Sequence, residues 1–180
     1  MKRILIQSIL LVSFFSIIVS CQQQKGNYES DGPFIVATDY IGGAIHYLDA
    51  FPNIYAIEES GKLTLYSETE PAHKLTIGED APIYELDLSD EEIDYIKALV
   101  EKSDFWELDE YLPDDRALDA DSHYVTVHLT DESKTVGGYS PADSEFREIS
   151  NYISNLVDDE DYKQWREEMK EHILELNPEP

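Results

Sequence analysis

Asn53-Ile-Tyr-Ala-Ile-Glu-Glu-Ser-Gly-Lys-Leu-Thr-Leu-Tyr-Ser67 is the stretch that decides the fold. Two β-rich runs, Asn53 to Glu58 and Lys62 to Ser67, flank Glu59-Ser60-Gly61. A short Gly-containing loop between such runs is a hairpin signal. In the second run Leu63 and Leu65 share one face, and Thr64 and Tyr66 share the other.

The pattern repeats on either side. Upstream, Phe34 to Ile41 is another β-rich run, ending at Gly42-Gly43. Downstream, Ile83 to Leu88 reads as a short strand. Ser89-Asp90-Glu91-Glu92 is then a capping box: the Ser hydroxyl accepts the third amide of the helix while Glu92 reaches back to the Ser89 amide. Asp90 and Glu91 also suit the positive end of the helix dipole. The helix runs to about Lys102, with Ile93, Ile96 and Val100 as its buried stripe. His123 to Thr130 (HYVTVHLT) alternates, placing Val125, Val127 and Leu129 on the core face, and Lys134 to Tyr139 follows a turn. Ser140-Pro141 predicts a helix start, with Ser at the N-cap and Pro at the first position. Phe146, Ile149, Ile153 and Leu156 mark the apolar face of that helix. A last helix after Asp158-Asp159 carries Tyr162, Trp165, Met169, Ile173 and Leu176 at core spacing. Hairpin-linked strands with helices between and after them predict an α+β fold: an antiparallel β-sheet with two or three helices packed on one face. The other face is expected to be wet and to carry the outward Tyr, Thr and His residues.

Charge narrows the function. The 180 residues include 13 Lys plus Arg against 39 Asp plus Glu, for a net charge of −26. The first 20 residues hold Lys2 and Arg3 and no acid, so residues 21–180 carry 11 basic and 39 acidic side chains, net −28. Affinity for nucleic acid rests on Lys and Arg neutralising phosphates, so this chain is not a nucleic-acid binder. Adhesion to anionic lipid through basic patches is disfavoured for the same reason. A single Cys excludes an intrachain disulfide framework and a thiolate metal cluster.

That Cys sits at a telling place. Met1 to Arg3 is a basic start, and Ile4 to Val19 (ILIQSILLVSFFSIIV) is an apolar run shorter than the roughly 20 residues a membrane span needs. Ile18-Val19-Ser20-Cys21 follows. The whole of residues 1–21 resembles a bacterial lipoprotein signal peptide with its lipobox. The resemblance implies removal of residues 1–20 and a diacylglyceryl group on the Cys21 thiol. Two chains give stable anchoring where one is marginal. It also places the protein on the outer face of the cell membrane, with a Gram-positive envelope favoured. In a Gram-negative cell the outer membrane is expected, because Gln22 is not the Asp associated with inner-membrane retention. Residues 21–32 then form the lipidated Cys and a polar tether (QQQKGNYESDG after the Cys) that spans roughly 17–20 Å as a flexible coil. Residues 33–180 form one acidic extracytoplasmic domain, large enough to build a core without disulfides.

A second resemblance covers about residues 34–157. The Ile54-Tyr-Ala-Ile-Glu-Glu-Ser-Gly-Lys-Leu-Thr-Leu-Tyr66 hairpin, the Leu88-Ser-Asp-Glu-Glu-Ile93 helix start and Ser103-Asp-Phe-Trp-Glu-Leu108 are similar to a group of uncharacterised bacterial lipoprotein domains. It implies a fold and a surface address, and no catalytic residue.

Gly138-Tyr-Ser140-Pro-Ala142 begins like a nucleophile elbow, but lacks the second Gly, and Pro141 removes an oxyanion-hole amide. His46, His73, His123, His128 and His172 contain no HExxH pattern. His123 and His128 fall on opposite faces of one strand and read as surface or edge residues. Gly42-Gly43 and Gly137-Gly138 read as turns or bulges, not phosphate cradles. Asp109 to Asp121 (DEYLPDDRALDAD) is the most unusual segment, within a stretch from Ser103 to Ser122 without a convincing element. Phe105, Trp106, Leu108, Tyr111 and Leu112 are expected to pin its front to the core. Asp119 and Asp121 are candidate ligands for Ca²⁺, although the EF-hand pattern fails for want of its Gly and closing Glu.

The resulting expectation is a membrane-anchored lipoprotein whose monomeric domain is a non-enzymatic binding or envelope-accessory module without a required cofactor. The first alternative is a divalent-cation-dependent ligand or glycan binder using the acidic 109–121 loop. The second is an inhibitor or immunity-type protein that captures a basic partner.

Overall fold

The computed structural model describes residues 26–40, 51–69, 75–112 and 121–177. Cys21, Gly42-Gly43, His46, His73 and Asp119, singled out above, lie outside them. Among the described residues the strands are β1 (Pro33–Tyr40), β2 (Asn53–Glu58), β3 (Lys62–Tyr66), β4 (Tyr84–Asp87), β5 (Ser122–His128) and β6 (Ser133–Tyr139). They form one antiparallel sheet in the order β4-β3-β2-β1-β5-β6. The helices are α1 (Asp90–Lys102), α2 (Ser144–Ser154) and α3 (Asp159–Leu176). This is the expected α+β fold. Among the described residues no helix is long and apolar enough to cross a membrane.

Local chemistry accounts for most boundaries. Gly61 closes the β2–β3 hairpin at φ +92°, a left-handed backbone that favours Gly. A Cβ there would lie 2.7 Å from the Leu88 carbonyl, whose own amide donates to the Gly61 carbonyl at 2.7 Å. The hairpin tip is thereby tied to the start of α1. At that start the Glu92 amide donates to Ser89 Oγ at 3.3 Å, and the Ser89 amide donates to Glu92 Oε2 at 2.8 Å. Ile93, Ile96, Leu99 and Val100 are buried, so the stripe is one residue wider than its spacing predicted.

The inner face of the sheet carries Ile35, Ala37, Ile57, Leu63, Leu65, Val125, Val127 and Val136, each 0–1 % exposed. Alternation along each strand puts them on one side, and α1, α2 and α3 cover them with Ile96, Phe146, Ile149, Ile153, Trp165, Met169 and Ile173. Full burial of such a side chain contributes about 1.5–3 kcal/mol. The opposite face carries half-buried Thr64, Tyr66, Tyr124 and Thr126, and Thr126 meets Thr135 hydroxyl to hydroxyl at 2.8 Å.

Several expectations need correction. Ser140 does not cap a helix: it sits at φ +45°, and its amide donates to the Asp121 carbonyl at 2.8 Å. α2 starts later, where the Asp143 carboxylate accepts the Phe146 amide at 2.7 Å. It ends at Ser154, so Leu156 falls after the helix, half-buried against the core. Leu176, at 43 % exposure, is also off the core. Gly137 and Gly138 are neither turn nor bulge. They lie within β6 where another segment comes alongside: the Gly137 amide donates to the Glu110 carbonyl at 3.0 Å, and the Leu112 amide donates to the Gly137 carbonyl at 2.7 Å. A Cβ on Gly138 would sit 2.4 Å from the Leu112 carbonyl oxygen. Finally, the front of the 103–122 stretch has structure of its own, a single 3₁₀ turn at Phe105–Glu107. Phe105 and Leu112 are buried as expected, but Tyr111 is 61 % exposed. Lys134, on β6, donates to the Trp106 and Leu108 carbonyls at 2.8 and 2.5 Å and fixes this turn against the sheet edge.

Candidate functional site

One row of the inner sheet face departs from the apolar pattern. Strand register aligns Asn53 of β2 with Asp39 of β1, Asp39 with His123 of β5, and His123 with Gly138 of β6. His123 shares the face of Val125 and Val127, so it points under the helices. Its reading as a surface or edge residue is thereby corrected. His128 is on the opposite face, by the same alternation.

Asp39 and Asn53 are 9 % and 3 % exposed, so their polar atoms need partners inside the protein. His123 Nδ1 lies 2.8 Å from Asp39 Oδ1. Ser150, from α2, donates to the same Asp39 oxygen at 3.3 Å and stands 3.2 Å from His123 Nδ1. Beside this group Asn53 Nδ2 donates to the Tyr162 hydroxyl at 3.0 Å, and Arg166 donates to Asn53 Oδ1 at 3.1 Å. Arg166 is 8 % exposed, and its guanidinium lies 4.0 Å from the centre of the Phe51 ring. Ser150 and Arg166 are buried polar residues on helices read as apolar stripes. Sequence spacing gave no sign of either.

The electrostatics follow from this geometry. The hydrogen bond to Asp39 raises the His123 pKa above its ordinary value against the opposing effect of burial. The charges of Asp39 and Asp121 add to the rise, and Arg147 lowers it. A carboxylate only accepts, so the neutral ring carries its proton on Nδ1 and keeps a lone pair on Nε2. Burial raises the phenols of Tyr55 and Tyr162 above the ordinary tyrosine value, so both stay protonated.

A pocket of about 330 Å³ opens over this row. Asp39, Tyr40, Tyr55, Asp121, His123, Asp159 and Tyr162 contribute to its wall. It falls at the lower end of the range for small-molecule sites. Asp121, one of the two candidate metal ligands, belongs to this wall. Asp119 is outside the described residues. No group of three His, Cys, Asp or Glu side chains among the described residues is placed to hold one metal ion.

The constellation invites comparison with a Ser-His-Asp triad and differs from one chemically. In a triad the Ser hydroxyl meets the ring nitrogen opposite the one bound by Asp. Here Ser150 and Asp39 crowd the same nitrogen, and Ser150 is 2 % exposed. Ser150 orients the ring; it is not positioned as a nucleophile. His172 is a structural residue, with Nε2 2.6 Å from the Ile77 carbonyl. No family model matches the chain, and a search of curated proteins found no match either.

Proposed function

We propose that this chain is an extracytoplasmic lipoprotein, anchored through Cys21, whose domain binds a small polar ligand and performs no chemistry on it. The observation that carries the binding half is the pocket over the Asp39–His123 pair, a row of the inner sheet face where an oriented polar set stands in place of apolar side chains. Burying that row is unfavourable relative to apolar side chains unless its partners are fully supplied. Ser150, Asn53, Tyr162 and Arg166 supply them. Ser150 meets the same ring nitrogen as Asp39, an arrangement that favours binding over acyl transfer.

The anchoring half rests on the Ile18-Val19-Ser20-Cys21 pattern and its resemblance to the lipobox. The placement is the outer face of the cell membrane, and a polar tether keeps the acidic domain off anionic headgroups, whose field decays over about 8 Å at physiological salt. The similarity to uncharacterised lipoprotein domains points the same way. The test is expression of the full chain and of Cys21→Ala in a Gram-positive host with labelled fatty acid. The expected result is labelled native protein in the membrane fraction, with the variant unlabelled and uncleaved. Native protein recovered unlabelled from the cytosol would overturn the reading.

A further inference from the structure

We infer that the bilayer holding the Cys21 lipid lies against one end of the sheet, the end built from Tyr28, the β2–β3 hairpin tip and the β5–β6 turn, and that the Asp39–His123 row faces away from it. The inference rests on the anchoring reading above and adds how the domain stands on the membrane.

The first ground is a clip near the N-terminus. Composition assigns residues 21–32 to a tether, yet part of that segment is bound to the sheet. Tyr28 bridges Leu129 in antiparallel fashion, one residue past the end of β5. The Glu29 amide donates to the His128 carbonyl at 3.1 Å, and the Thr130 amide donates to the Asn27 carbonyl at 2.9 Å. The Tyr28 ring meets Phe34 edge-on, with centroids 5.3 Å apart, and Lys97 Nζ lies 5.1 Å from the centre of the Tyr28 ring. Lys97 also pairs with Glu59 at 2.5 Å, which ties the hairpin tip to the same end.

Leash length is the second ground. Gly26, the first residue beside this clip, is five residues from Cys21. Fully extended, that stretch reaches at most roughly 18 Å, whereas a leash running free to Pro33 would reach roughly 42 Å. A domain of about 150 residues has a radius of gyration of roughly 15 Å and is roughly 40 Å across. The longer leash would let any side of the domain meet the bilayer. The clipped one is less than half the width of the domain, so it admits only the end that carries Tyr28.

Charge sets the stand-off and not the orientation. Glu29, Asp31, Glu58, Glu59, Asp131 and Glu132 belong to this end, but acids are spread along the rest of the chain as well. Repulsion from anionic headgroups decays over about 8 Å, within the reach of the leash. β1 runs from Pro33 at the near end to Asp39 at the far end, roughly 20 Å at about 3.3 Å per residue. The polar row is thereby presented to the aqueous side, where a soluble ligand reaches it without crossing lipid.

The test uses the lipidated full chain on vesicles of phosphatidylcholine and phosphatidylglycerol that carry a headgroup acceptor dye. A donor dye is attached to Asp131→Cys or to Glu68→Cys, exposed positions at the near and far ends of the sheet, each variant melting as the native chain does. Energy transfer is expected to be roughly twofold or more stronger from residue 131, because the strands between the two ends are about 20 Å long. Inserting about twenty Gly and Ser residues before Gly26 lengthens the leash beyond the width of the domain and should erase the difference. Equal transfer from both positions with the native leash, or stronger transfer from residue 68, would overturn the inference while leaving the anchor. A difference that survives the insertion would mean that a contact with lipid, and not the leash, orients the domain, and would overturn it too. Protein that fails to float with the vesicles would bring down the anchoring reading itself, and the inference with it.

Discussion

Arg166 shows how far one side chain can be committed in this fold. It is buried at 8 % exposure on a helix face that spacing assigns to apolar residues, stacks on Phe51, and donates to Asn53. Replacing it with Ala removes a charged hydrogen bond and a cation–π contact, and leaves Asn53 Oδ1 without that donor. The expected loss is about 2–4 kcal/mol, read as a lower urea midpoint at constant slope. Arg166→Lys should leave most of the loss in place, because an ammonium has no planar fork to lie on the ring. His123 adds a pH term with a definite sign. Its folded pKa is raised, so its contribution is fully present below the unfolded value near 6.5 and is lost as pH rises through the folded value. None of this was legible in the sequence. Asp39 and His123 are 84 residues apart, and only the pairing of β1 with β5 brings them together.

Elements defined by adjacent residues were the legible ones. The β2–β3 hairpin and α1 fall where the turn at Gly61 and the Ser89–Glu92 box put them, because both signals act within four residues. The start of α2 departs from its local signal. Ser-Pro is a good local helix start, yet the Ser140 amide is held by the Asp121 carbonyl, and the residue turns left-handed to end β6. Asp143 takes over the cap. Asp143→Ala should therefore destabilise by about 1 kcal/mol, whereas Ser140→Gly should be neutral or slightly stabilising because Gly adopts that backbone without penalty. Thermal melts of the two variants check this pair, and the reverse order would mean that the helix begins at Ser140. The pinning of Glu110–Leu112 to Gly137 was invisible for the opposite reason: its hydrogen bonds are backbone to backbone across the fold.

At the scale of the molecule, charge and site pull in different directions. With 39 acids against 13 bases, long-range repulsion opposes the compact state, and the ion pairs at Lys62–Glu85 and Lys102–Glu148 are exposed and contribute little. Raising NaCl from about 0.01 to 1 M shortens the screening length from about 30 to 3 Å, so the melting temperature should rise with salt. A melting temperature that falls with salt would show the ion pairs outweighing the repulsion. Against that background the polar row under the helices is a local arrangement that diffuse acidity does not explain. The central claim is that Asp39 holds His123 in one tautomer at the wall of the pocket. The most direct test is ¹⁵N NMR of the His123 ring across pH, in the full chain and in Asp39→Asn. The predicted result is a pKa above 6.5, a neutral form protonated on Nδ1, and a fall in that pKa when Asp39 is replaced. A ring that titrates at or below the ordinary value, or that is protonated on Nε2 and indifferent to Asp39, would contradict it.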